Sequence, residues 1–123
     1  MTKIMVVDDD KDATALFEEV LKAEGFEAIV LNESSRAVQL AKKEKPALFI
    51  LDLMMPEPDG FKLCRMLRKE PEFRSTPIII VTALNDTDSR IVAIGAGAND
   101  YLTKPFRLDE LYTSIKDHLE DII

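Results

Sequence analysis

Short apolar runs alternate with helical patterns along the chain, and this alternation most restricts the folds that it can adopt. Runs this short and this rich in apolar side chains are typical of strands buried on both faces of a sheet. A weaker fifth run ends just before a Lys-Pro pair. The predicted strands are Ile4–Val7, Ala28–Leu31, Ala47–Leu51, Ile78–Val81 and Asp100–Thr103.

Apolar residues at helical spacing follow each of these runs. We expect Asp10 to cap the first helix, Ser34 or Ser35 to cap the second, and Gly25 to end the first. Five β-α units predict one α/β domain over residues 1–123, with a parallel sheet between helices and right-handed crossovers. The predicted helices carry their apolar stripes at Ala13–Leu21, Ala37–Ala41, Phe61–Leu67, Ile91–Ile94 and Leu108–Leu119.

Composition excludes several classes of protein. A chain of 123 residues with a net charge of -7 has the size of one domain and lacks the basic surface that gripping nucleic acid or anionic lipid requires. No apolar run approaches the roughly 18 residues of a membrane span, and the apolar N-terminal stretch is too short for an export signal. The single cysteine, Cys64, cannot form an internal disulfide, so we expect a reducing cytoplasm.

Charged and hydroxyl side chains come directly after four of the predicted strands. Ligands of parallel α/β sheets bind beyond the carboxyl ends of the strands, so we expect these side chains to share one edge. Each alone is more commonly a helix cap, a turn residue or a solvated side chain; their convergence is the functional signal. They are Asp8, Asp9 and Asp10 after the first strand, Asp52 after the third, Thr82 after the fourth and Lys104 after the fifth.

These residue types suit phosphoryl transfer. Clustered carboxylates repel one another, and Mg²⁺, which prefers oxygen ligands, relieves that repulsion and neutralises charge on phosphate oxygens. Asp52 can act as a nucleophile that forms an aspartyl phosphate. Lys104 can place a positive charge against the phosphoryl oxygens, and Thr82 can donate a hydrogen bond to one of them.

Four motifs carry a resemblance to a known family. They are Val6–Asp9, Asp52–Pro56 followed by Asp59 and Gly60, Val81–Ala83, and Gly95–Phe106. In order and spacing the chain resembles the receiver domain of two-component response regulators over nearly its whole length. The resemblance implies a flavodoxin-like sheet of order 2-1-3-4-5 with five helices, and a phosphorylation-activated signalling switch instead of a conventional enzyme.

The resemblance also implies a metal site. Asp52 matches the phosphoacceptor and one of the metal ligands. Asp9 matches the acid that binds the metal directly, and Asp8 matches a neighbour that acts through water. The backbone carbonyl of Met54 matches the remaining protein ligand. The implied ion is Mg²⁺, with Mn²⁺ as a possible substitute, and the triple Asp leaves open whether Asp8 and Asp9 or Asp9 and Asp10 form the pair.

Further roles follow from the same resemblance. Thr82 and Lys104 match the residues that contact the phosphoryl group, and Thr82 also matches a switch residue. Tyr101 matches the aromatic switch residue that changes rotamer on activation. The peptide between Lys104 and Pro105 is cis in the family. Pro58 departs from the common pattern and is expected to stiffen the loop after Asp52.

Expected partners are a sensor histidine kinase or a histidine phosphotransfer protein as phosphoryl donor. The output is expected through the face of the fourth helix, fifth strand and fifth helix, toward an effector domain or protein, with no direct contact to nucleic acid or membrane. The single histidine, His118, is expected at the surface and is not the donor. The sequence leaves open whether the chain acts alone or is part of a longer one.

Three other functions compete with this interpretation. An aspartate-nucleophile phosphohydrolase would carry a second Asp two residues after the nucleophile, where this chain has Met54. A phosphorylation-independent interaction module of the same fold would lack one of the site residues. A nucleotide- or flavin-binding domain would need a Gly-rich first turn, which here holds three acids.

Overall fold

A computed structural model describes residues 1–120, and residues 121–123 of the predicted domain lie outside it. The α/β class is confirmed. The strands are β1 (Lys3–Val7), β2 (Glu27–Leu31), β3 (Leu48–Leu51), β4 (Ile78–Thr82) and β5 (Asp100–Thr103). The helices are α1 (Lys11–Ala23), α2 (Ala37–Glu44), α3 (Gly60–Lys69), α4 (Thr87–Gly95) and α5 (Leu108–Glu120), with short 3-10 turns at Ser34–Arg36 and Pro71–Phe73.

The five strands form one parallel sheet of order β2-β1-β3-β4-β5, as the resemblance implied. Alternate residues of the central strands enter two cores. Ile4 and Ile50 pack with α1 and α5 on one face, and Met5 and Phe49 pack with α2 and α3 on the other. Burial on both faces explains why these strands read as continuous apolar runs. Within residues 1–120, no helix combines the length and apolar character needed to cross a bilayer.

Helix ends follow the sequence at two of the three predicted places. The Asp10 carboxylate accepts a hydrogen bond from the Asp12 amide and caps α1. Gly25 follows the end of α1 with a φ of 87°, a left-handed conformation that glycine adopts without strain. The predicted serine cap of α2 is wrong: the Ser34 hydroxyl donates to the carbonyl oxygens of Pro56 and Pro58 in the loop after β3.

The apolar stripe predicted for the fourth helix faces solvent. Ile91 and Ile94 are 62% and 47% exposed, whereas Ala93 of the same helix is buried. The sheet side of α4 is made of small side chains, so the large ones project outward. Leu16 of α1 was likewise expected in the core and is 48% exposed. Helical spacing located both helices and identified Phe17 and Leu21 as buried residues of α1, but it placed Leu16 and the large side chains of α4 in the core wrongly.

Candidate functional site

The register of the sheet places the strand-end residues at one edge. Val7 pairs with Leu51, so the next residues, Asp8 and Asp52, lie side by side. The Asp52 amide donates to the Val7 carbonyl at 3.1 Å, which extends the ladder into the site. On the other side of β3, the Lys104 amide donates to the Thr82 carbonyl at 2.7 Å. The pairing of β1 with β3 and of β4 with β5 therefore fixes the backbone positions from which these side chains enter the site.

Three carboxylates converge at this edge. Asp8, Asp9 and Asp52 each offer an oxygen, and the three oxygens lie within 4.8 Å of one another. Asp8 and Asp52 are buried, with 1% and 7% exposure, while Asp9 faces solvent. Hard oxygen donors on two buried groups and one open group fit a hydrated divalent cation such as Mg²⁺. The three predicted acids can thus hold a metal together.

Lys104 closes the site from β5. Its Nζ lies 2.7 Å from Asp8 Oδ2 and 3.2 Å from Asp52 Oδ2. Burial raises the pKa of Asp8, although the hydrogen bond from Lys104 opposes the shift. Burial alone would lower the pKa of Lys104, but its hydrogen bond to Asp8 and the charge of Asp52 outweigh it and raise that pKa. One ammonium therefore serves two carboxylates, which leaves the cluster short of positive charge.

Backbone amides hold the other oxygens of the two buried acids. The Asp10 amide donates to Asp8 Oδ1 at 3.0 Å, and the Met54 amide donates to Asp52 Oδ1 at 3.1 Å. Each acid is thus oriented by the residue two positions later. The Met54 side chain points outward and is 55% exposed. The loop after Asp52 therefore keeps the backbone of Met54 beside the site, where its carbonyl is a predicted ligand.

Thr82 and Tyr101 meet at a third residue, Leu84. The Leu84 amide donates to Thr82 Oγ1 at 3.4 Å, and the Tyr101 hydroxyl donates to the Leu84 carbonyl at 2.7 Å. The Tyr101 ring is buried, and the Arg90 guanidinium lies 5.3 Å from its centroid. Arg90 also donates to the Tyr101 carbonyl at 3.2 Å. The two predicted switch residues are connected through the β4–α4 loop, and within residues 1–120 neither of their side chains forms a hydrogen bond with the acids.

Several residues outside the acid cluster have simple explanations. His118 lies in α5, and its Nδ1 is 2.7 Å from the Ser114 carbonyl oxygen, away from the acids. Cys64 is buried, and its thiol donates to the Ala96 carbonyl. The peptide between Lys104 and Pro105 is cis, as the resemblance implied, and so is that between Glu57 and Pro58.

The sequence did not point to Arg90 or Asn32 as neighbours of the site. Gly60 belongs to one of the four motifs, but no role at the site was predicted for it. A Cβ at this position would overlap the Asp52 carbonyl oxygen. The contacts of Asn32 and Arg90 join residues from different β-α units, and the approach of Gly60 to Asp52 depends on how the loop after β3 folds back, so no local pattern signals them.

Comparison with known proteins shows the family to which the chain belongs. The family model for the response regulator receiver domain matches residues 4–116. The chain belongs to the receiver domain family. Receiver domains act as signalling switches in two-component systems and are not conventional enzymes, so the family assignment and its non-enzymatic character agree with the sequence prediction.

Relatives and solved structures agree with this assignment. The domain is 39% identical over 120 residues to "Probable transcriptional regulator ycf27" of Porphyridium aerugineum, covering 98% of this chain and 49% of that protein. It superposes on the Francisella response regulator 1452 receiver domain with a TM-score of 0.91 and 32% identity, over all of both chains. It also superposes on the BeF3-activated N-terminal receiver domain of Klebsiella pneumoniae RstA with a TM-score of 0.89 and 32% identity, covering 96% of this chain and 98% of that chain. The chain spans about half the length of the curated relatives that it matches.

Proposed function

We propose that this receiver domain is a switch in which Asp52 accepts a phosphoryl group in a magnesium-dependent reaction. The observation that carries the proposal is the position of Lys104, whose Nζ contacts both Asp8 and Asp52 within a group of three carboxylates. Residues 96 and 52 positions apart in the chain meet there. An ion pair that served stability alone would not need a third acid, Asp9, beside the two that Lys104 contacts.

The chemistry follows from these groups. An Asp52 carboxylate oxygen attacks the phosphorus of a phosphohistidine, the P–N bond breaks, and the imidazole leaves with a proton from solvent. Asp8, Asp9, Asp52 and the Met54 carbonyl would hold Mg²⁺, which when bound neutralises charge on the phosphoryl oxygens. Lys104 places its ammonium against those oxygens. Thr82 turns its hydroxyl from the Leu84 amide to donate to one of them.

The switch is proposed to run from Thr82 to Tyr101. A phosphoryl group on Asp52 adds acceptor oxygens that draw Thr82 away from Leu84. The β4–α4 loop carries Leu84, which also holds the Tyr101 hydroxyl. The face of α4, β5 and α5 then changes shape as a shift between two populated states. Exposed Ile91 and Ile94 give this face the apolar contact area through which an effector domain or protein would read the change.

The phosphoryl donor is proposed to dock beside Lys104. A groove of about 330 Å³ lies between α1 and the loop after β5, and Lys104 lines its end. The groove is largely apolar, with Leu16, Phe17, Phe106 and Leu108 in its wall. A phosphohistidine can reach Asp52 only from a protein that covers the adjacent surface. This groove therefore suits an apolar helix face of a histidine kinase or a histidine phosphotransfer protein.

The deciding experiment is phosphorylation by acetyl phosphate with Mg²⁺, measured by intact mass. We expect wild type to gain one phosphoryl group, Asp52→Asn to gain none, and chelation by EDTA to abolish the gain. Asp59→Asn, an acid that caps α3, is the matched control and should label like wild type. Labelling of Asp52→Asn, or steady turnover of small phosphate esters by wild type, would contradict the proposal and favour a phosphohydrolase in the latter case.

A further inference from the structure

The connection after β2 contacts both sides of the candidate site, although it holds none of the predicted site residues. Asn32 follows β2 directly, and Ser34 begins the short 3-10 turn before α2. We propose that Asn32 and Ser34 are positioning residues that orient the two chain segments carrying the cation's ligands. This inference rests on the proposed function and adds residues that set the affinity for the metal.

Asn32 holds the peptide between the two N-terminal acids. Its Nδ2 donates to the Asp8 carbonyl oxygen at 2.8 Å and to Thr14 Oγ1 at 3.0 Å. The Asp8 carbonyl belongs to the peptide that joins Asp8 to Asp9, so its orientation directs both side chains. The Thr14 hydroxyl donates in turn to the Lys11 carbonyl at 3.1 Å. Asn32 thereby ties this peptide to the first turn of α1.

Ser34 holds the loop on the other side of the site. Its buried hydroxyl lies 2.7 Å from the Pro58 carbonyl oxygen and 3.1 Å from that of Pro56. The two prolines have no backbone N–H and cannot contribute donors to hold the loop in place. The same loop begins after Asp52 and includes Met54, whose carbonyl is a proposed ligand. Ser34 supplies the loop with a donor from outside its own segment.

Orientation matters here because the ligands repel one another. Asp8, Asp9 and Asp52 crowd their oxygens within 4.8 Å, and unrestrained acids would turn apart. Groups that hold metal ligands in place typically change metal affinity by roughly 10- to 100-fold when they are removed. We therefore expect Asn32→Ala and Ser34→Ala each to raise the dissociation constant for a divalent cation by roughly 10-fold.

The test measures Mn²⁺ binding by electron paramagnetic resonance, which needs no turnover. Wild type, Asn32→Ala, Ser34→Ala and the double variant are compared, with Ser35→Ala, an exposed neighbour, as control. Because the two residues act on different segments, the double variant should raise the dissociation constant further than either single variant. Ser35→Ala should match wild type. At saturating Mg²⁺, the maximal rate of acetyl phosphate labelling should return to the wild-type value in both single variants.

Thermal melts establish that each variant is folded. If Asn32→Ala or Ser34→Ala does not fold, Thr14→Val removes the second anchor of Asn32 and Ser34→Cys weakens the donor, and each should raise the dissociation constant more modestly. Unchanged Mn²⁺ affinity in the folded variants, while wild type binds Mn²⁺ and is phosphorylated, overturns the positioning role alone. Failure of wild type to bind Mn²⁺ overturns this inference together with the proposed function.

Discussion

At the scale of single residues, two apolar side chains next to the site affect how long a phosphoryl group would stay on Asp52. Met54 and Leu84 lie two residues beyond Asp52 and Thr82. Neither side chain can hydrogen-bond an attacking water. We expect the phosphorylated form to persist for minutes or longer and Met54→Asn to shorten its lifetime several-fold, measured by loss of phosphoryl mass after removal of the donor. Met54→Leu is the control with an unchanged lifetime, and a wild-type lifetime of seconds would contradict the expectation.

The Cys64 thiol links stability to pH. Burial raises its pKa from 9.0 to about 11, against the nearby charge of Arg68. The folded state then keeps a proton that the unfolded chain loses, so this stabilisation is complete below pH 9.0 and is lost as the pH rises toward about 11. The difference in unfolding free energy between wild type and Cys64→Ala should therefore narrow over that range, by at most about 1.4 kcal/mol per pH unit. Urea unfolding at several pH values measures it, and a constant difference would refute the assignment.

At the scale of elements, α3 begins in contact with the end of β3. The Gly60 amide donates to the Leu53 carbonyl at 3.0 Å, and a Cβ at Gly60 would overlap the Asp52 carbonyl oxygen and lie 2.6 Å from Leu53 Cα. These neighbours are backbone atoms of Asp52 and Leu53, which cannot move aside as the end of a flexible side chain could.

Gly60→Ala should therefore force α3 away from β3, destabilise the fold by about 1–3 kcal/mol, and slow phosphorylation because Asp52 moves. Gly95→Ala is the matched control, since no neighbouring atom lies within 4 Å of a Cβ there. It should be neutral or stabilising by roughly 0.4–1 kcal/mol. Denaturant unfolding with acetyl phosphate labelling measures both effects, and equal stability of the two variants would disprove the close packing.

At the scale of the whole molecule, two apolar surfaces lie on different sides of the sheet. Leu16 projects from α1 beside the groove next to Lys104, and Ile91 projects from α4. The helices α1 and α5 cover one face, and α2, α3 and α4 cover the other. If the donor and the effector dock as proposed, mutations at Leu16 and at Ile91, which lie on opposite sides of the sheet, should affect them separately.

Leu16→Asp should slow phosphoryl transfer from a phosphorylated donor protein at least roughly 10-fold, because a buried unpaired charge at an interface costs several kcal/mol. Labelling by acetyl phosphate should not change, since Leu16 is an apolar residue of the groove wall and is none of the proposed phosphoryl- or metal-binding residues. Ile91→Asp is the reciprocal control and should leave both reactions as in wild type. If Leu16→Asp and Ile91→Asp slowed phosphoryl transfer from the donor protein equally, the groove would not be the donor surface.

Local chemistry along the chain determined much of this molecule. The period of its apolar residues predicts five strands and five helices, and the parallel sheet follows from their alternation. The acids, hydroxyl and ammonium could be named because the carboxyl ends of parallel strands must share an edge. Capping by Asp10 and the end of α1 before Gly25 depend only on neighbouring backbone atoms, so both could be predicted from the local sequence.

Only the tertiary structure decided which helix faces are buried and which polar groups meet. Ile91, Ile94 and Leu16 have core-like spacing yet face solvent, because the size of the space above the sheet depends on residues elsewhere in the chain. Ser34 bonds a distant loop instead of its own helix for the same reason. A hydrogen bond between separate β-α units has no sequence period, so it exists only once the sheet has brought its two partners together.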